Sequence, residues 1–257
     1  MARLPHYVQL VLFKAYAELR AEATRAYLGF LWWFLEPVMY MCVFYLIFEI
    51  GLRSGGKDFV PFLMCGMVAW KWFGSTVSAS AGSLTKHAGL IQQVYLPKII
   101  LPLVTVVSNT VKSSVIMTLL LILLVVPFGR TPAATWFFVP VLVAVEFLLI
   151  AGAAVFVASL VPFAQDLKLL LDNALMMLFF MSGIFFDINR MPDDVQQLLR
   201  YNPMAVVIDA YRSVLLRDSL PEMGGLVFVL LVATFFMLTG SAVFARFDRV
   251  YPKIISR

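Results

Sequence analysis

Long apolar runs alternate along the chain with short polar breaks. Each run is long enough to cross a bilayer, which takes roughly 20 apolar residues, and the pattern predicts six spans, over 28–50, 59–82, 99–127, 135–161, 168–187 and 223–245. Ahead of them, residues 4–26 repeat at helical spacing. Val8, Leu12, Tyr16 and Leu19 fall on one face, and Lys14, Glu18, Glu22 and Arg25 on the other. That is an amphipathic helix lying in the membrane interface, either as an anchor or as a docking surface for a cytosolic partner. Gln9 and Lys14 interrupt its apolar run, so it is not the core of a signal peptide. The fold class is therefore all-α integral membrane, one domain over 1–257.

The connections differ in character. Residues 51–58 are short and Gly-rich, 83–98 are longer and polar, and brief turns surround Arg130-Pro132 and Gln165-Asp166. The segment from Asp187 to Glu222 carries a helical pattern of its own. Pro192 suits the first turn of a helix, with Asp193 and Asp194 complementing its positive end. That helix ends near Tyr201-Asn202, because the residue before Pro203 is pushed out of helical geometry. A second helix then runs to about Leu216. Residues 188–218 thus read as a two-helix re-entrant hairpin or cap on the outer side, unless Arg200, Asp209 and Arg212 simply tie the hairpin to itself.

Composition supports a membrane protein: 62% of residues are hydrophobic, only 14% are charged, and the mean hydropathy is +0.91. The net charge of +5 forms no basic stripe interleaved with aromatics, so it argues for topology and against nucleic acid. Eleven Lys and Arg fall on the side of the N-terminus and seven on the other side, which puts both termini in the cytosol. Cys42 and Cys65 sit inside apolar runs and read as small core residues rather than as a disulfide.

Trp32, Trp33 and Trp136 fall near span ends, where Trp belts are ordinary. Trp70, Trp72 and Phe73 lie about 17–21 Å into their span by helix rise. There, flat rings either pack against lipid and neighbouring helices or offer a sliding surface to the C–H faces of sugars. Lys71, Lys112 and Glu146 come out at similar depth, where lipid-facing placement costs roughly 2.5–3.5 kcal/mol each. They either pair to lock the spans or line a wet path; Glu36 and Asp172 lie nearer the inner surface. Lys71, between two Trp, is the leading candidate for substrate contact.

Three stretches carry a resemblance. The first is Leu28-Gly29-Phe30-Leu31-Trp32-Trp33-Phe34-Leu35-Glu36-Pro37 after the interfacial helix. The second runs from Gly66 to Phe73 and continues, past a polar loop, in Gly89-Leu90-Ile91 and Val94-Tyr95-Leu96-Pro97-Lys98. The third is Tyr201-Asn202-Pro203-Met204 leading to Ala210-Tyr211-Arg212. In order and spacing the chain resembles the transmembrane subunit of ABC-type exporters of bacterial cell-surface polysaccharide, O-antigen or capsule. The resemblance implies a bacterial inner-membrane, multi-pass permease working as a dimer with a second copy of itself. It also implies two copies of a cytosolic ATP-binding subunit, which carries the ATP and Mg, and a lipid-linked glycan cargo.

The resemblance further implies coupling to that ATPase through a short helix in 83–98. Leu84, Lys86, His87, Leu90, Ile91 and Gln92 are the contact candidates, and Asp166 makes a smaller contact; a plain connector is the alternative. The outer hairpin becomes a gate, with Pro192, Arg200, Tyr201, Asn202, Pro203, Asp209, Tyr211 and Arg212 as its candidates. Trp70, Lys71, Trp72, Phe73, Lys112, Glu146 and Glu36 become candidates for the substrate channel. No Gly-x-x-x-x-Gly-Lys-Ser/Thr stretch occurs, so nucleotide is expected on a partner, and no cofactor or metal on this chain. His6 and His87 are the only histidines and lie far apart, which counts against a membrane-embedded glycosyl- or acyltransferase. An exporter of a small lipid or drug on the same scaffold stays open, since fold does not fix cargo.

Overall fold

The computed structural model describes residues 4–25, 58–93 and 96–255, with a scatter of single positions between 31 and 47. Apart from those positions, the expected span over 28–50, with Trp32, Trp33 and Glu36, lies outside the described residues. What is described is helical, with no strand among these residues.

The helices are α1 (Leu4–Arg25), α2 (Phe59–Ala81), α3 (Ser83–Lys86), α4 (Ala88–Gln93) and α5 (Ile100–Val125). They continue with α6 (Val139–Leu160), α7 (Asp166–Met181), α8 (Asp193–Arg200), α9 (Pro203–Leu216), α10 (Met223–Phe247) and α11 (Tyr251–Ile255). Three stretches are long and apolar enough to cross a membrane: Ile100–Val125, Ala134–Phe163 and Met223–Phe247. α2 is long enough, at 23 residues, but Lys71 and a series of Ser and Thr dilute its apolar character. α7 is shorter than the predicted 168–187. It stops at Met181, and the chain turns away at Gly183, whose φ of +69° is one that side chains rarely adopt.

α6 is apolar on every side, as a helix at the centre of a bundle must be, and α10 packs along it. Two glycines allow that close approach. A Cβ on Gly152 would stand 2.4 Å from the Ala233 carbonyl oxygen, and one on Gly240 would stand 2.7 Å from the Phe156 nitrogen. α2 packs between α5, α6 and α9, and α1 runs against α5. The main core fills the space among α2, α6, α9 and α10, and a second cluster (Leu84, Ile91, Leu101, Val155, Phe244, Tyr251) closes the end that holds α3, α4 and α11. α7 stands apart: it buries only Leu175 and touches the rest of the bundle mainly through α2.

Candidate functional site

One face of α2 is neither core nor plain lipid surface. Met67, Trp70, Lys71, Gly74, Ser75 and Ser78 share it at the three- and four-residue spacing of a helix face. Two hollows open along it. The larger, of about 420 Å³, lies towards α7 and is lined by Trp70, Lys71, Ser75, Ser78, Asp172 and Phe179 among others. The smaller, of about 200 Å³, lies towards α5 and is lined by Glu22, Lys71, Ser75, Asn109, Lys112 and Ser113 with Ile116. Lys71 and Ser75 belong to both, so the two form one track.

The walls are partly fixed by polar bonds. The Ser78 hydroxyl donates to Asp172 at 2.6 Å, and Lys168 pairs with the other Asp172 oxygen at 3.1 Å. Lys112 bonds to Glu22 of α1. The Trp70 ring packs on Phe179 of α7 at 5.7 Å and on Phe73 at 5.6 Å. A strip with hydroxyls, an amide, two lysines and an aromatic wall can hold a polar, ring-shaped cargo without reading its sequence.

The seven channel candidates separate here. Lys71 and Lys112 line the track, and Trp70, 9% exposed and part of the main core, forms its buried edge; Glu36 lies outside the described residues. Trp72, 3% exposed, and Phe73, 7% exposed, point into the bundle core and offer no surface to a cargo. They stand about 100° and 200° around the helix from Lys71, which is why adjacency in sequence misplaces them. Glu146 is also corrected. It is completely buried under α9, where it accepts a hydrogen bond from the Tyr211 hydroxyl at 2.9 Å, with no bond to Lys71.

In the segment after α7, α8 ends at Arg200 and α9 begins at Pro203. Pro192 is the residue before α8 rather than its first turn. Asn202 caps α9 by accepting from the Met204 N–H, and its own amide donates to the Ser182 hydroxyl at 3.0 Å. Arg200 reaches Glu222 at 3.5 Å, Asp209 accepts from Arg217 at 2.9 Å, and Tyr201 is exposed. Arg212 does not tie the hairpin to itself. Though only 1% exposed, it donates to the carbonyls of Gly183 (2.7 Å), Ile184 (2.8 Å) and Phe62 (3.2 Å), with its guanidinium 3.3 Å from the centre of the Phe62 ring. A Cβ at position 66 would come within 2.9 Å of that guanidinium and displace it. Thus α9 is wedged into the bundle, pinned to α2 and to the turn after α7.

At the opposite end the resemblance implies one short helix in 83–98, whereas the segment breaks at His87 into α3 and α4. Leu84 and Ile91, two of the contact candidates, are buried in the inner-end cluster. They hold the segment down and present nothing outward; Leu90 is half-buried beside them. Lys86, Gln92 and Asp166 are exposed, and Lys168 of the neighbouring turn lies against Gly82. His87 is turned sideways: one ring nitrogen meets Glu18 of α1 at 2.9 Å, the other the Ser83 carbonyl at 2.8 Å.

That bond from His87, aided by the charges of Lys86 and Lys14, holds the Glu18 carboxyl below its ordinary range despite its burial. A carboxylate depressed in the folded state stabilises the contact above its ordinary range, and the contribution fades as pH falls through the lowered value. Two supports of this end escaped the sequence reading. Lys98, buried, pairs with Asp248 at 3.3 Å, and Tyr251 of α11, fully buried, donates to the Ser159 carbonyl at 2.8 Å. Only the apolar–polar alternation after Phe247 could have signalled Tyr251, and five residues are too few to read.

α1 carries its polar groups inward, to His87 and Lys112, while Val8, Leu12, Phe13 and Tyr16 are more than half exposed. Polar inside and apolar outside is the arrangement of a helix bathed in lipid.

Residues 14–216 match the ABC-2 type transporter family. The chain is 26% identical over 245 residues to the O-antigen export system permease protein RfbA of Myxococcus xanthus, covering 94% of this chain and 93% of that one. It is 24% identical over 204 residues to RfbA of Klebsiella pneumoniae, covering 79% and 78%. Over 230 residues it is 26% identical to the polysialic acid transport protein KpsM of Escherichia coli, covering 86% and 88%. The family match takes in both hollows, α3 and α4 and the α8–α9 hairpin, and on that match this chain belongs to the ABC-2 type transporter family, in the company of polysaccharide export permeases.

Proposed function

We propose that the chain is the membrane subunit of an ATP-driven exporter that carries a lipid-linked surface polysaccharide, O-antigen or capsule, across a bacterial inner membrane. The observation that carries this reading is the track along α2, a polar and aromatic strip within a bundle similar throughout its length to permeases of O-antigen and polysialic acid. In this reading six spans cross the bilayer with both termini in the cytosol, the α8–α9 hairpin gates the outer end, and ATP and Mg reside on two copies of a cytosolic partner.

A second copy of the chain completes the path. α7 leaves Leu169, Leu170, Met176, Met177 and Phe180 largely exposed, all on the helix that walls the larger hollow. A symmetric pair meeting there covers this apolar surface and turns the open hollow into an enclosed one.

The test is purification of the tagged chain from its native membranes. An ATP-hydrolysing chain should come with it, and the permease stripped of that chain should hydrolyse no ATP above background. Robust turnover by the permease alone would sink the reading. Single cysteines at Lys86 and Gln92 should cross-link to the partner, whereas cysteines at buried Leu84 and Ile91 should not. Cross-linking from Leu84 but not from Lys86 would put the docking surface elsewhere.

A further inference from the structure

Glu18 and Glu22 sit four residues apart on one face of α1, one helical turn and about 6 Å from each other. Glu18 lies 2.9 Å from a ring nitrogen of His87, as an ion pair at the break between α3 and α4. Glu22 bonds to Lys112, in the wall of the smaller hollow that also holds Lys71. One turn ahead of Glu18, α1 is held close to α5. Ala15 is buried against Ile100 and Val104, and the Ser108 hydroxyl donates to the Ala15 carbonyl at 3.4 Å. One turn of helix does not compress, so a displacement applied at Glu18 reaches Glu22 with little loss.

We propose that α1 is a rigid link which carries movement of the inner-end segment into the Lys71–Lys112 hollow, gripping the segment through Glu18–His87 and the hollow through Glu22–Lys112. This rests on the reading above only in that the ATP-binding partner is what moves the segment. When the partner pushes on the exposed face of α3 and α4, His87 draws Glu18 with it, and α1 shifts about its contact at Ala15. Glu22 then moves relative to Lys112, and the charge lining the hollow changes in step with the nucleotide state. The surroundings suit a firm grip: besides His87, the cationic side chains that bear on Glu18 are Lys86 from α3 and Lys14 from α1 itself. α1 thereby acts on the translocation path without touching the cargo, and Glu18 and Glu22 are positioning residues.

The experiment uses the complete complex with its ATP-binding partner, with Cys42 and Cys65 replaced and one probe, Ser113→Cys, placed in the hollow. The measured quantity is the rate of labelling by a small water-soluble thiol reagent, without nucleotide and with ATP bound. The parent should show a nucleotide-dependent change of about fivefold, at the low end of ordinary coupling between sites. Glu18→Gln should abolish that change while the partner still co-purifies and hydrolyses ATP. An unchanged nucleotide effect in Glu18→Gln, or none in the parent, overturns the link. If Glu18→Gln does not fold, the exchanged pair Glu22→Lys with Lys112→Glu decides: it should retain the nucleotide effect, and a folded exchanged pair without it overturns the proposal. Failure of the exporter reading looks different, since no ATP-hydrolysing chain would then be in the complex.

Discussion

Replacing Arg212 by alanine will collapse the end of the bundle that α9 closes. Its guanidinium satisfies three backbone carbonyls, with the bonds to Gly183 and Ile184 buried and those to Phe62 part-buried. Each buried acceptor left unpaired costs about 1–3 kcal/mol, so the two buried carbonyls alone should cost at least about 2 kcal/mol before the vacated volume beside Gly66 is counted. That is a large share of what holds a domain folded. Arg212→Lys should rescue only in part, because one ammonium nitrogen replaces the three (Nε, Nη1 and Nη2) that meet these carbonyls. The check is the thermal midpoint of the detergent-solubilised protein, read beside Asp193→Ala as an exposed control. A midpoint in Arg212→Ala equal to that of the control would mean that α9 is held by other contacts.

Lys71→Ala should lower export the most among substitutions on α2, on the order of tenfold at equal expression and partner binding, which corresponds to about 1.4 kcal/mol on the limiting barrier. Lys71 is the charge common to both hollows. Trp70→Ala should weaken export less, since Phe179 remains as an aromatic wall. Trp72→Ala should behave differently in kind: it truncates a core side chain, costs about 3–5 kcal/mol, and lowers the amount of folded protein rather than export per molecule. Surface polysaccharide measured per mole of complex separates these outcomes. Full export from Lys71→Ala would remove the charge from the path, and normal folded yield from Trp72→Ala would contradict its place in the core.

The helices were legible where apolar periodicity is uninterrupted. The bounds of α2, α5, α6 and α10 fall close to the runs of apolar residues, and the α8–α9 hairpin follows from Pro192, the two aspartates and Asn202-Pro203. The end of α7 was misjudged because Phe185 and Phe186 prolong the apolar run past Gly183, where the backbone turns on a positive φ that hydropathy does not register.

The site was less legible, and for a different reason. Depth along a span can be counted, but which way a side chain faces depends on neighbours that come from elsewhere in the chain. Lys71, Lys112 and Glu146 share a depth, yet the first two meet at one hollow while Glu146 lies behind α9 against Tyr211. Leu84 and Ile91 read as an outward apolar face because their cover, Tyr251 and Phe244, is supplied by the last two helices. The links Glu18–His87 and Glu22–Lys112 span 69 and 90 residues of sequence, with no local pattern to announce them.

The central claim is that this permease moves glycan and that its partner's ATP drives the movement. It is tested most directly by reconstituting the purified complex, permease plus ATP-binding partner, into lipid vesicles and adding the lipid-linked glycan of the host cell. The account predicts that glycan becomes sequestered from an external lectin only when ATP and Mg are supplied, and that Lys71→Ala slows this while ATP hydrolysis continues. Vesicles that hydrolyse ATP and move a small lipid, yet leave the glycan fully accessible, would contradict it.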